Sequence, residues 1–266
     1  MDINKFIIFW YIYKECNLQC DYCFRMDSEA QNILPNLQQI DEILNHLATF
    51  PRFTLSLLGG EITLWKDLPY LVNKALLLPN IEQIQITTNG QYLDESWIGN
   101  EKILINLFIH PKYFTKYGQL LITNITPIIV YDLNSHDLIR ALLLFSRPNC
   151  LQSMKLKLKD TNIVLDDATI HGFAEVVKEF NIKIASITPT VKKRCSTGYQ
   201  LRFDYDGSIY HTHDMCLLEK DVNIYKNPKD LEYKKYEFNC LKELCYNDCT
   251  TYGFNYGIKT KELKRF

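Results

Sequence analysis

Apolar runs that alternate with helix-period segments constrain this chain most, because parallel strands cannot be joined by tight turns and need crossovers. The first run, Phe6 to Tyr13, reads as a buried strand. A helix is expected after Pro35, with Leu37, Ile40, Leu44 and Leu47 on one face. Phe53 to Leu58 predicts the second strand and Asp67 to Leu78 the next helix. Ile84 to Thr88, Ile103 to Ile109 and Ile125 to Val130 predict strands three to five. Asp137 to Phe145 reads as a helix and Met154 to Leu158 as the sixth strand. Ala168 to Phe180 follows as a helix with Phe173, Val176, Val177 and Phe180 inward. Six strands, most followed by a helix, predict an α/β chain with a parallel sheet. A partial (βα)6 TIM-like barrel over residues 1–190 is the expected fold, with functional loops at the carboxyl ends of its strands.

After about residue 190 the pattern changes. Arg202 to Tyr205, then Asp206-Gly207, then Ser208 to His211 reads as a β-hairpin with Asp-Gly as its turn signal. Residues 191–266 are therefore expected to form a small, hairpin-containing, cysteine-rich module.

The composition, 47% hydrophobic and 13% aromatic over 266 residues, excludes a disordered chain and supplies a sizeable core. A net charge of −1 leaves no electrostatic footprint for nucleic acid or an anionic membrane. The closing run Lys259, Lys261, Lys264 and Arg265 reads as a solvated end. Phe6 to Tyr13 is too short to span a bilayer and lacks the flanks of a signal peptide. A cytoplasmic location is the expectation, and disulfides are rare there, so nine cysteines call for another account. Cys150 stands alone and reads as a small core residue; the others gather towards the two ends of the chain.

The first group, Cys16-Asn17-Leu18-Gln19-Cys20-Asp21-Tyr22-Cys23, has the spacing C-x3-C-x2-C on a loop leaving the first strand. A closed structural zinc site takes four ligands, and ordinary electron-transfer clusters take four thiolates. Three thiolates on a four-iron cluster leave one iron open to a further ligand; three on a catalytic zinc are the alternative. Two more strand ends carry distinctive residues: Gly59-Gly60-Glu61 after the second strand, and Thr87-Thr88-Asn89-Gly90 closing the third. Both also read as ordinary turns. His110 follows the fourth strand, either as a group that exchanges a proton or as a structural histidine before Pro111.

Together these residues make the chain resemble the radical S-adenosylmethionine (SAM) superfamily. The resemblance rests on the three-cysteine spacing with an aromatic residue, Tyr22, before the last cysteine, and on Gly59-Gly60-Glu61. It implies Cys16, Cys20 and Cys23 as ligands of a [4Fe–4S] cluster whose open iron holds the methionyl group of SAM. It implies Tyr22 near the adenine, Gly59, Gly60 and Glu61 at the cofactor's ammonium, and Thr88 and Asn89 at its ribose or carboxylate. The activity implied is reductive cleavage of SAM to a 5′-deoxyadenosyl radical that abstracts hydrogen from a substrate.

Cys195, Cys216, Cys240, Cys245 and Cys249, with the hairpin among them, resemble the C-terminal SPASM and Twitch modules of that superfamily. The shorter form, Twitch, implies one auxiliary [4Fe–4S] cluster, with Cys195, Cys216, Cys245 and Cys249 as ligands and Cys240 spare. Here eight residues separate Gly207 from Cys216 and the closing pair is C-x3-C, which departs from the family's common spacing. A four-cysteine zinc site is the alternative. Members with such modules modify ribosomally made peptides by crosslinking, epimerisation or excision, or oxidise small molecules such as aminocyclitols. A peptide substrate is the expectation, with a small-molecule dehydrogenase as runner-up. A non-catalytic electron carrier or zinc-binding interaction protein is the reading of another class. Flavodoxin or ferredoxin is the expected reductant. With little chain before Phe6, a separate leader-peptide recognition protein is expected as a partner.

Overall fold

The computed structural model describes residues 6–20, 23, 30–108, 124–131, 155–158, 200–210 and 222–233. The helices expected at 137–145 and 168–180 lie outside the described residues. Strands β1 (Phe6–Tyr13), β2 (Phe53–Gly59), β3 (Ile81–Thr88), β4 (Ile103–Phe108), β5 (Ile125–Tyr131) and β6 (Lys155–Leu158) are parallel neighbours in chain order. Each strand lies beside the one before it, which is how a sheet winds into a partial barrel. The expected parallel α/β architecture is thus the observed one.

Strand alternation divides the residues into two faces. Phe6, Ile8, Trp10 and Ile12 of β1 join Leu55, Leu57, Ile84, Ile86, Ile105 and Leu107 in the main core. Helices α1 (Leu37–Leu47) and α2 (Leu68–Leu76) cover that face through Ile40, Ile43, Leu44, Leu71 and Val72. The stripe on α1 is Ile40, Ile43, Leu44 and Leu47; Leu37, expected inward, opens the helix and is 44% exposed. Asn36 and Gln39 cap α1 reciprocally, each side chain accepting from the other's backbone N–H at 2.9 Å.

The opposite face has its own small apolar cluster of Ile7, Phe9, Tyr11, Leu58 and Tyr205. Beyond it the face turns polar but stays buried: Thr54 and Ser56 on β2, Gln85 on β3, Asn106 on β4 and Thr126 on β5. Strands that are apolar towards helices and polar on the other side build a barrel with a lined interior rather than a second oily layer.

The hairpin expected near residue 206 is present and joins the same sheet. Strand β7 (Gln200–Phe203) pairs parallel with β1 on the side away from β2, and β8 (Ile209–Tyr210) pairs antiparallel with β7. Phe203 meets Trp10 edge-to-face at 6.0 Å, and the Trp10 indole N–H donates to the Tyr225 hydroxyl at 3.0 Å. The Asp204 N–H donates to the Ser208 carbonyl and the Gly207 N–H to the Asp204 carbonyl, both at 2.9 Å. Gly207 closes this turn at φ 82, where a Cβ would also press on Asn223 and the Tyr225 ring. Gly207→Ala should cost about 2 kcal/mol by adding backbone strain to that crowding. Chemical denaturation of the full chain measures it.

Candidate active site

The chain leaves β1 at Tyr13 and passes through Lys14 and Glu15 into Cys16. The end of β2 lies directly against this exit: the Gly60 N–H donates to the Tyr13 carbonyl at 2.6 Å and the Glu61 N–H to the Glu15 carbonyl at 2.8 Å. Glycine is required at this contact. A Cβ on Gly59 would run into the Tyr13 carbonyl oxygen, and one on Gly60 into the carbonyl oxygens of Lys14 and Glu15.

Glu61 itself is buried, with 1% of its surface exposed. Its Oε1 accepts from the hydroxyls of Thr63 at 2.5 Å and Thr88 at 2.6 Å, and from the Thr63 N–H at 3.2 Å. Its Oε2 accepts from the Asn89 N–H at 2.6 Å. Four donors match the roughly four lone-pair sites of a carboxylate, so Glu61 bolts the end of β2 to the end of β3.

The brace continues into the cysteine loop. The Asn89 Nδ2 donates to Asn17 Oδ1 at 2.8 Å, Asn17 Nδ2 donates to Gln91 Oε1, and the Gln91 N–H donates to Asn89 Oδ1 at 3.1 Å. Asn17 stands between Cys16 and Leu18, so the turn after β3 grips the loop from within.

Cys16, Cys20 and Cys23 are half-buried, reduced cysteines. The Cys16 sulfur accepts from the Leu18 N–H at 3.3 Å, and the Cys23 N–H donates to the Cys20 carbonyl at 3.1 Å, which tightens the loop's second half. Among the described residues, no three His, Cys, Asp or Glu side chains are gathered closely enough to share one ion. Three soft donors spread over one loop fit an iron–sulfur cluster, which takes each thiolate on a different iron, better than a single zinc.

Beside the loop, the Arg202 guanidinium stacks 4.3 Å above the Tyr11 ring and pairs with Asp204 at 3.1 Å. Burial pushes the Tyr11 phenol up to about 12 against the pull of Arg202, so it stays neutral.

Of the residues expected from sequence, the structure brings Gly59, Gly60, Glu61, Thr88 and Asn89 into one bonded unit with the loop of Cys16, Cys20 and Cys23. Tyr22, His110, Cys195, Cys216, Cys240, Cys245 and Cys249 lie outside the described residues. Sequence reasoning missed Asn17, Thr63 and Gln91, which complete the brace. An amide residue inside a metal loop was the available signal for Asn17. Among the described residues, no helix is long and apolar enough to cross a membrane.

The sequence profile of the Radical SAM superfamily matches residues 10–107, which run from β1 through β4. The chain is 36% identical over 81 residues to the GTP 3′,8-cyclase of Stenotrophomonas maltophilia. It is 39% identical over 85 residues to the molybdenum cofactor biosynthesis protein 1 of Drosophila melanogaster. These matches cover 29% and 30% of this chain, but only 24% and 15% of the relatives. The chain thus spans about a quarter of the length of the cyclases it matches. Among solved structures, anSMEcpe with bound AdoMet and a peptide superposes with a TM-score of 0.59 at 17% identity, over 86% of this chain and 80% of the other. The same protein with AdoMet alone gives 0.59 at 16% identity, over 85% and 79%. Residues 10–107 of this chain are thus similar to the radical SAM superfamily domain, a family that uses a [4Fe–4S] cluster and S-adenosylmethionine.

Proposed function

We propose that this chain cleaves SAM reductively and uses the resulting radical to modify a ribosomally made peptide, by crosslinking, epimerisation or excision. The observation that carries the reading is the brace of Gly60, Glu61, Thr88 and Asn89 around a loop that bears three cysteines outside any disulfide. When bound, the [4Fe–4S] cluster and SAM supply a 5′-deoxyadenosyl radical that abstracts hydrogen from the substrate. Cys16, Cys20 and Cys23 would hold the iron, with Tyr22 beside the adenine. The strap at Gly59–Glu61 and the turn at Thr88–Asn89 keep the loop in register for the cofactor. The polar interior at Ser56, Gln85, Asn106 and Thr126 offers hydrogen bonds to a substrate entering the barrel. His110, after β4, is the proposed proton-exchanging residue.

Residues 191–266 form, in this proposal, a second module of the Twitch kind, with Cys195, Cys216, Cys245 and Cys249 holding one auxiliary cluster that removes an electron from the substrate. A peptide substrate is favoured because a fold neighbour is known with AdoMet and a peptide bound together. A flavodoxin or ferredoxin supplies electrons, and a separate protein presents the peptide leader. A small-molecule substrate is the second reading, since the curated relatives include enzymes named GTP 3′,8-cyclase.

The full chain, reconstituted anaerobically with iron and sulfide and supplied with dithionite and SAM, is expected to release 5′-deoxyadenosine. An iron-loaded protein that releases none, with or without candidate peptides and nucleotides, contradicts the proposal.

A further inference from the structure

Lys14 lies between the end of β1 and Cys16, and its contacts run across the cysteine segment rather than along it. Its backbone N–H donates to Asn32 Oδ1 at 3.3 Å, and its ammonium donates to the Ala30 carbonyl at 3.0 Å. Ala30 and Asn32 stand where the chain has left the three cysteines, so Lys14 reaches from the entry stem to the exit stem with both its backbone and its side chain. Its carbonyl faces Gly60, where no Cβ fits, which sets the residue against the β2 strap as well.

The hairpin after β7 supplies the third side. Tyr205 is buried at 0% exposure and meets Tyr11 edge-on at 5.8 Å, and its N–H donates to Asp204 Oδ1 at 2.9 Å. The Lys14 ammonium lies 5.7 Å from the centroid of the Tyr205 ring, within range of a cation–π contact. On the exit stem, the Ile33 N–H donates to the Tyr205 carbonyl at 3.0 Å, and Ala30 packs on the apolar cluster to which Tyr205 belongs. Lys14, the Ala30–Ile33 stem and Tyr205 therefore form a closed clasp at the base of the segment that carries Cys16, Cys20 and Cys23.

Bringing the two stems together costs chain entropy, and a segment already pinned at its base has less left to lose when its cysteines converge on a metal group. We propose that Lys14 is a positioning residue for the iron site, clasping both stems of the cysteine segment to the Tyr205 hairpin, so that retention of iron depends on that hairpin as well as on the three ligands. Lys14 acts through the stems and is itself no ligand, because an ammonium has donors and no lone pair. A solvated lysine would leave its ammonium to water, whereas this one is directed at a carbonyl and a ring. The inference rests on the cluster reading given under Proposed function.

The test is the rate at which the chelator bathophenanthroline strips iron from the full chain after anaerobic reconstitution. Lys14→Met keeps the aliphatic stem and removes the cation. It should release iron several-fold faster, while the denaturation midpoint of the metal-free chain stays at the wild-type value. Lys14→Arg retains a cation that can donate to a carbonyl and lie over a ring, so it should restore slow release. Tyr205→Leu reads the hairpin's part: in a single clasp, the double variant with Lys14→Met releases iron no faster than the worse of the two single variants. Asn32→Ala removes only the acceptor of the Lys14 N–H, should accelerate release to a smaller degree, and serves even if Lys14→Met folds poorly. Wild-type release from Lys14→Met and Asn32→Ala, or independent effects in the double variant, overturns the inference and leaves the cluster reading intact. A fall in the metal-free midpoint that accounts for the faster release overturns it too, since Lys14 would then serve the fold alone. A wild-type chain that assembles no four-iron site overturns both.

Discussion

Gly60→Ala should cost about 4 kcal/mol or more and leave the three cysteines unable to retain iron. The added methyl meets the carbonyl oxygens of Lys14 and Glu15, which are backbone atoms and cannot rotate aside. Relief requires the end of β2 to withdraw from the exit of β1, and withdrawal breaks the Gly60 N–H bond to Tyr13 and the Glu61 N–H bond to Glu15. The loop that carries Cys16 then loses its rail. Gly99→Ala is the control: Gly99 has φ +83 but nothing within 4 Å of a new Cβ. That change should cost only about 1 kcal/mol, the penalty of a positive φ without a clash. Denaturation midpoints and iron per chain after anaerobic reconstitution measure both effects. A Gly60→Ala chain that is as stable and as iron-rich as wild type would show that the strap does not hold the loop.

Glu61→Ala is the second large effect expected. It removes an acceptor that pairs with Thr63, Thr88 and Asn89 in a buried site. The donors left behind include the buried backbone N–H of Asn89, so the loss should be about 3 kcal/mol. For a chain of this size that lowers the melting temperature by on the order of 10 °C. Glu61→Gln should fall between the two, because its amide presents N–H groups where the carboxylate only accepts. Thermal melts with and without SAM separate the structural part from any direct contact with the cofactor. If Glu61→Ala melts with wild type, the carboxylate is not the bolt between β2 and β3.

These two residues mark where sequence reasoning succeeded and where it stopped. Gly59, Gly60 and Glu61 were legible as the end of the second apolar run, and the structure ends β2 there. What they touch was not legible. The glycines were expected to admit the cofactor, and the closest approach they permit among the described residues is to the chain's own Tyr13–Glu15 backbone. The side-chain bonds from Glu61 to Thr88 and from Asn89 to Asn17 span 27 and 72 residues, a separation that no local pattern encodes.

The strands were readable because each is apolar and bounded by turn residues, and the β2 to β5 boundaries shift by three residues at most. The hairpin was readable from Asp206-Gly207, but its membership of the main sheet was not. Pairing of Ile8 with Leu201 across the β1 edge depends on where the barrel ends, which is a property of the whole sheet. The polar interior left a trace that local reading passed over: Thr54 and Ser56 interrupt β2 at the strand period, as Gln83 and Gln85 interrupt β3.

One spectroscopic measurement reaches the centre of all this. Mössbauer spectra of the chain loaded with iron-57 should contain a [4Fe–4S] signal in which a single iron subsite shifts when SAM is added, since three thiolates leave one iron for the cofactor. Spectra with every iron equivalent and unmoved by SAM, or a site that binds zinc and no cluster, would contradict it.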